Sequence, residues 1–165
     1  MSTLGIENIE HINGTSAITI ASDGKMTTSQ YIQQNGVPRF SARGGATQDS
    51  TGPFVLQFNT TDVNVGSCFD TSNYRFTAPV AGDYYFFFAM MPSGNNYLRA
   101  RLRKNGSTYI GAETFSRNEV YSRLAYASIF TLAASDYVEV IVDTSGNDQG
   151  PVHNDYRQFT GFLVG

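Results

Sequence analysis

The sequence predicts an all-β fold: a jelly-roll β-sandwich of about ten antiparallel strands, preceded by a short β-rich N-terminal arm. Short segments of β-forming residues recur between turns rich in Gly, Pro, Asn and Asp, and no segment has the apolar spacing of a helix. Charged residues make up only 15% of the chain, against about 25% in an ordinary domain, while aromatic residues make up 13%. A length of 165 residues suits one domain with an appendage.

The N-terminal arm is assigned to residues 1–36 and the jelly-roll domain to residues 37–165. Within the arm, segments 18–20 and 25–27 are predicted to be short strands, joined by a turn that contains an Asp-Gly pair, a typical hairpin signal. An isolated hairpin is only marginally stable. The arm is therefore expected to order against a neighbouring chain or a larger assembly, the alternative being a floppy terminus.

The first part of the jelly-roll domain contains two predicted strands, at segments 37–43 and 54–58. Both are bounded by glycine or proline, residues that interrupt regular structure. The polar segment 59–66 is predicted to be a loop, and residues 67–70 lead into the centre of the chain.

The centre of the chain is segment 74–91, where two predicted strands meet at a corner containing Pro79 and Gly82. The second strand, 84–91, consists only of aromatic residues, alanine and methionine, so both of its faces are apolar. An antiparallel sheet normally has one face in water. The second apolar face therefore needs a cover, either another copy of this chain or a loop of the same chain, and large apolar patches favour the first.

Three arginines form a basic row on the next predicted strand. In segment 97–104, Arg99, Arg101 and Arg103 alternate with apolar residues and therefore share one outward face. This row is suited to bidentate binding of an anionic ligand, such as a charged glycan or a phosphate. The alternative is a solvated strand face on which the arginines pair with nearby carboxylates.

The last third of the chain is predicted to contain four strands separated by polar turns, at residues 107–112, 121–132, 137–143 and 159–164. The loop between the last two strands is rich in oxygen-bearing side chains, which could supply ligands for calcium. The same residue types are favoured in ordinary turns. Calcium is therefore one of two interpretations of this loop, and no other cofactor is expected.

Four segments resemble the motifs of the C1q domain family, in matching order and spacing: PRFSA at 38–42, FTAPVAGDYYF at 76–86, RKNG at 103–106 and FTGFL at 159–163. One departure is Ser135, which stands before Asp136 where that family often has glycine. Such a change affects a turn and leaves the fold intact.

The resemblance covers residues 38–165 and implies a jelly roll of the C1q and tumour-necrosis-factor type that forms a homotrimer. In that family, the strand corresponding to 84–91 lies in the sheet at the trimer axis. Two of its residues, Tyr84 and Phe86, match the aromatic signature of the family and are expected in the core. The residues that alternate with them, Tyr85, Phe87 and Ala89, are the predicted trimer interface.

The arm segment 13–25 resembles short β-rich segments of bacteriophage tail-fibre and appendage proteins. This predicts a virion protein, a homotrimeric tail-fibre knob that is held by its arm to other virion proteins and binds a bacterial surface glycan or protein. One alternative is a structural cement, decoration or connector protein that binds only virion partners. Another is an extracellular signalling ligand, which the absence of a visible signal peptide disfavours.

The sequence contains none of the common catalytic or metal-binding motifs, so no enzymatic activity, catalytic residue or metal ligand is predicted. A net charge of −3 gives no indication of nucleic-acid binding. No segment approaches the roughly 20 apolar residues of a membrane-spanning helix. The single cysteine, Cys68, cannot form an intrachain disulfide and is expected to be a small apolar filler.

Overall fold

The computed structural model describes residues 8–10, 16–28, 36–46, 48, 53–92, 98–116, 123–144 and 153–165. The chain divides into two compact units, Met1–Asn35 and Gly36–Gly165. The described residues form strands and no helix, and all the strand pairings are antiparallel. The all-β prediction is therefore confirmed. Within these residues, no helix is long and apolar enough to cross a membrane.

The N-terminal unit contains a three-stranded antiparallel sheet of β1 (Asn8–Glu10), β2 (Ser16–Ile20) and β3 (Met26–Thr28), in that order. The predicted hairpin is the β2–β3 pair. Its turn uses the conformational freedom of Gly24, whose φ is 81°, and the Asp23 side chain accepts a hydrogen bond from the backbone of Lys25 at 3.0 Å. Strand β1 was not predicted from the sequence, because three residues are too few to show an alternating pattern.

The described part of the second unit is a β-sandwich of eleven strands. The five-stranded sheet has the order β12-β9-β14-β4-β6; the six-stranded sheet has the order β11-β10-β13-β8-β7, and β5 also pairs with β13. The strands are β4 (Arg39–Arg43), β5 (Phe54–Val55), β6 (Thr60–Val65), β7 (Phe69–Asp70), β8 (Arg75–Thr77), β9 (Gly82–Met90), β10 (Leu98–Lys104), β11 (Thr108–Ser116), β12 (Leu124–Leu132), β13 (Tyr137–Thr144) and β14 (Gln158–Leu163).

Strand β6 corrects one expectation, because the polar segment 59–66 was predicted to be a loop. It instead forms the edge of the five-stranded sheet, pairing with β4 through a register shift next to Ala42. An edge strand with both faces near water tolerates polar residues. Its sequence therefore lacks the apolar alternation that would have predicted a strand. One ion pair reinforces this edge, between Arg43 and Asp62 at 2.9 Å.

Aromatic side chains fill the space between the two sheets. Phe86 is fully buried, and its ring centroid lies 5.0 Å from that of Phe76, 5.5 Å from that of Phe130 and 5.9 Å from that of Phe159. Gly161 allows this packing, since a Cβ at that position would lie 2.6 Å from the Phe86 ring. The glycine in the last strand is therefore a requirement of the aromatic core.

The turn before β13 holds Ser135 in the left-handed region, with a φ of 72°. Asp136 stabilises the turn by accepting hydrogen bonds from the backbone of Ala133 at 2.8 Å and from the side chain of Asn105 at 2.7 Å. The Lys104 ammonium, together with these donors, lowers the pKa of Asp136 to about 2. The side chain of Asp136 thus fixes the turn while the backbone of Ser135 is strained.

We expect Ser135→Gly to stabilise the protein by up to about 1 kcal/mol, because relief of the left-handed strain exceeds the entropy that glycine loses on folding. The measurement is the free energy of unfolding by denaturant. Ala134→Gly is the matched control: Ala134 lacks a positive φ, and this change should destabilise the protein. Equal effects of the two changes would contradict the assigned role of Ser135.

Candidate functional site

Up to Phe88, the two faces of β9 differ in burial as the side-chain alternation requires. Tyr84, Phe86 and Phe88 are fully buried between the sheets. Tyr85 and Phe87 lie on the opposite, outward face of the five-stranded sheet and are half-buried. The prediction that Tyr84 and Phe86 belong to the core is confirmed by this burial.

The neighbouring strands extend the outward face of β9 with further apolar side chains. Tyr85 is paired with Ile129 of β12 on one side and with Phe162 of β14 on the other. Ile129 is 57% exposed and Phe162 is 41% exposed. The Tyr85 and Phe162 rings contact each other, with centroids 5.2 Å apart. We call Tyr85, Phe87, Ile129 and Phe162 the apolar strip.

Small residues flank the apolar strip on the same face. Ala127, which is exposed, is paired with Phe87, and Ala125, also exposed, is paired with Ala89. Ala89 itself is completely buried within the chain. Of the three residues predicted for the trimer interface, Tyr85 and Phe87 therefore keep part of their surface exposed, whereas Ala89 is buried in the same row.

Ile129 and Phe162 were not predicted from the sequence to be surface residues. The available signal was the alternation in β12: Leu124, Phe130 and Leu132 face the core, so Ile129 must face outward. The position of Phe162 beside Tyr85 was harder to predict, because this pairing joins residues far apart in the sequence.

The predicted basic row lies on the six-stranded sheet and is matched by carboxylates of β13. Arg99 and Arg101 both bind Asp143, the Arg99 contact being 3.0 Å, and Arg103 binds Glu139 at 2.7 Å. Both carboxylates are buried residues. This arrangement indicates that the basic row is a strand face whose arginines pair with carboxylates, rather than a binding face for an anionic ligand.

A fourth arginine extends this network from β8. Arg75 donates to Glu139 at 2.7 Å, and its guanidinium carbon lies 4.3 Å from the centroid of the Tyr137 ring. The hydrogen bond to Glu139 raises the pKa of Arg75. Glu139, which is fully buried, is thus held by guanidinium groups from two strands, so removal of its charge would disturb both.

Two further predictions concern the loop that could bind calcium, between the last two strands, and Cys68. Most of the calcium loop, residues 145–150, lies outside the described residues, and the described ones contain no group of three His, Cys, Asp or Glu side chains suited to a metal ion. Cys68 is buried, and burial raises the pKa of its thiol to about 11. Its thiol contacts the carbonyl of Val65 at 3.3 Å, consistent with a packing role.

Comparison with known proteins identifies the family. A model of the C1q domain matches residues 40–164. Two curated relatives, complement C1q tumor necrosis factor-related protein 3 of human and of mouse, are each 30% identical over 111 residues, which is 65% of this chain and 43% of the relative. The chain thus spans less than half the length of these relatives.

Solved structures agree on the fold. The globular domain of zebrafish complement 1qA protein has a TM-score of 0.64 and 23% identity, covering 78% of this chain and 98% of that one. Murine APRIL has a TM-score of 0.61 and 9% identity, covering 77% and 99%. At these identities the likeness establishes the jelly roll alone.

The comparisons give no support to the predicted bacteriophage origin, since these relatives and solved structures come from vertebrates. That prediction depended on the likeness of a thirteen-residue segment, 13–25, to β-rich appendage sequences. A short polar hairpin is common to many unrelated proteins, so its composition carries little information about origin.

Proposed function

Because the chain belongs to the C1q domain family, we propose that its sandwich assembles into a homotrimer that binds other molecules without catalysing a reaction. The observation that carries this proposal is the apolar strip. Ile129 and Phe162 leave a large fraction of their surface in water although both flank Tyr85 in the sheet. Contiguous exposed apolar surface of this kind marks an interaction site.

The position of the apolar strip supports a second copy of the chain as its cover. Burial of a large apolar side chain contributes about 1.5–3 kcal/mol, so the exposed parts of four such side chains favour association. A ring of three copies has heterologous interfaces, in which each copy offers two different surfaces. The exposed Ala125 and Ala127 beside the strip allow the backbone of a neighbouring copy to approach closely.

The binding role is proposed for the loops of the trimer, because loops on a rigid sandwich carry recognition. Three copies of a weak site gain affinity through simultaneous attachment. The sequence contains no recognised catalytic motif, which supports binding rather than catalysis. The proposed location is extracellular, as the resemblance to the animal members of the family implies. The N-terminal arm is proposed to join the trimer to neighbouring arms or to a larger assembly.

We expect the trimeric protein to bind the surface of cultured vertebrate cells with an apparent affinity about 100-fold or more above that of a monomeric variant, because attachment at several points multiplies weak affinities. The measurement is the binding of fluorescently labelled protein, titrated over cells, with Phe87→Asp as the monomeric variant. Equal binding by the two proteins would contradict the multivalent role. Failure of both proteins to bind would contradict binding to a cell surface but would say nothing against the trimer.

A further inference from the structure

A cavity of about 320 Å³ lies at one end of the five-stranded sheet. Two of its lining residues, Arg43 and Gln158, are paired in the same outward-facing row as Ala89. We call it the sheet-end cavity. It is lined by Arg43, Met91 and Arg123 and by residues 155–158, which lead into β14. None of the described lining residues belongs to the apolar strip, so the cavity and the strip are separate parts of this face. Its volume is at the lower end of the range typical of small-molecule sites.

The lining of the sheet-end cavity carries three arginines and one carboxylate, that of Asp155, and therefore a net charge of +2. One of the three, Arg157, is only 2% exposed and donates to the carbonyls of Ala46 at 2.5 Å and Gln57 at 3.2 Å. Burial lowers its pKa to about 10, so this guanidinium is still charged at neutral pH. A fixed positive charge in the wall of a cavity attracts anions.

Arg123 is a second cation in the lining of the sheet-end cavity. It is exposed, and it makes no hydrogen bond or ion pair with any of the described residues. Arg43, in contrast, is held by Asp62, whose two carboxylate oxygens lie 3.0 and 2.9 Å from its Nε. A guanidinium presents a planar fork of donors that matches a carboxylate.

An aromatic wall and two polar side chains complete the sheet-end cavity. The Tyr156 side chain is 57% exposed, and its ring is supported by His153, with centroids 4.8 Å apart. Asp155 is an acceptor, and Gln158 offers both a donor and acceptors. An apolar aromatic surface between hydroxyl-binding groups suits the ring of a sugar, whose two faces are apolar and whose rim is polar.

We propose that the sheet-end cavity binds a saccharide that carries a carboxylate. The carboxylate lies against Arg123, the sugar ring packs on Tyr156, and its hydroxyl groups bond to Asp155 and Gln158. This inference goes beyond the proposed trimer, because it assigns a ligand to a cavity whose described lining lies outside the apolar strip. It also places the anionic ligand on the sheet opposite to the row of Arg99, Arg101 and Arg103, whose carboxylate partners are already present.

The test uses saturation-transfer NMR on the full-length protein with two probes, methyl β-glucuronide and methyl β-glucoside, which differ in the carboxylate. We expect the glucuronide to bind at least about tenfold more tightly than the glucoside, since a hydrogen bond to a charged group contributes about 1.5–3 kcal/mol. Arg123→Gln should weaken glucuronide binding about tenfold by the same reasoning. Lys25→Gln is the control, because it removes an equal charge in the other unit.

Equal binding of the two probes, or unchanged glucuronide binding by Arg123→Gln, would overturn the proposal. Tyr156→Ala should also weaken glucuronide binding. If it has no effect while inorganic phosphate displaces the glucuronide, the cavity is a simple anion site and the saccharide assignment is wrong. Native mass, measured on the same samples, reports the trimer separately, so failure of the saccharide site and failure of the trimer are distinguishable.

Discussion

Phe87→Asp is expected to convert the homotrimer into monomers that remain folded. Phe87 is half-buried at the centre of the outward face, paired with Ala127 and Thr160 of the two neighbouring strands. A carboxylate at this position remains hydrated in the monomer but loses its water in the proposed interface, at an effective penalty of several kcal/mol for each copy. The measurement is sedimentation velocity, with circular dichroism to confirm the β-sheet content.

Val80→Asp is the matched control for this change. Val80 is 46% exposed, lies in the corner before β9 and is not part of the apolar strip. Its replacement adds the same charge in exchange for an apolar side chain. This variant should stay trimeric. A trimeric Phe87→Asp protein, or dissociation of both variants, would show that the outward face of β9 is not the site of assembly.

Phe86→Ala, one position earlier in β9, is expected to destabilise the fold by about 3–5 kcal/mol. The Phe86 ring is fully buried and lies 5.0 to 5.9 Å, centroid to centroid, from the rings of Phe76, Phe130 and Phe159. Its removal leaves a cavity that the rigid strands cannot close. The measurement is denaturant unfolding in the monomeric Phe87→Asp background, where the free energy of unfolding does not depend on protein concentration.

Tyr85→Ala in the same background is the control for Phe86→Ala. Tyr85 precedes Phe86 in the same strand but lies on the outward face, where it is only half-buried. Its truncation should cost clearly less than that of Phe86, because less apolar surface returns to water. Similar costs for the two residues would mean that both faces of β9 are core in the single chain, with a cover supplied by the chain itself.

Local sequence pattern was sufficient to predict the strand at the centre of the fold. The run of apolar residues at 84–91 has the period of a strand, and alternation alone separates Phe86 from Phe87. Alternation did not predict the strand in segment 59–66, because β6 is an edge strand whose residues are mostly exposed. Edge strands are where an alternating pattern is weakest and where pairing with a neighbour decides the structure.

Contacts between distant segments were not predictable in the same way. The partners of the arginine row, Glu139 and Asp143, are about 40 positions further along the chain, and only the register of β10 with β13 brings them together. The sheet-end cavity likewise combines Arg43, Met91 and Arg123, which no sequence window contains together. Such sites depend on strand order, which the pattern within a single strand does not specify.

The most direct test of the trimer is the native mass of the full-length protein in solution, measured by light scattering during size-exclusion chromatography over a dilution series. We expect a single species of three times 18.1 kDa, about 54 kDa, that persists at micromolar concentration. A stable 18.1 kDa monomer at all concentrations would contradict it. The apolar strip of Tyr85, Phe87, Ile129 and Phe162 would then require a different partner.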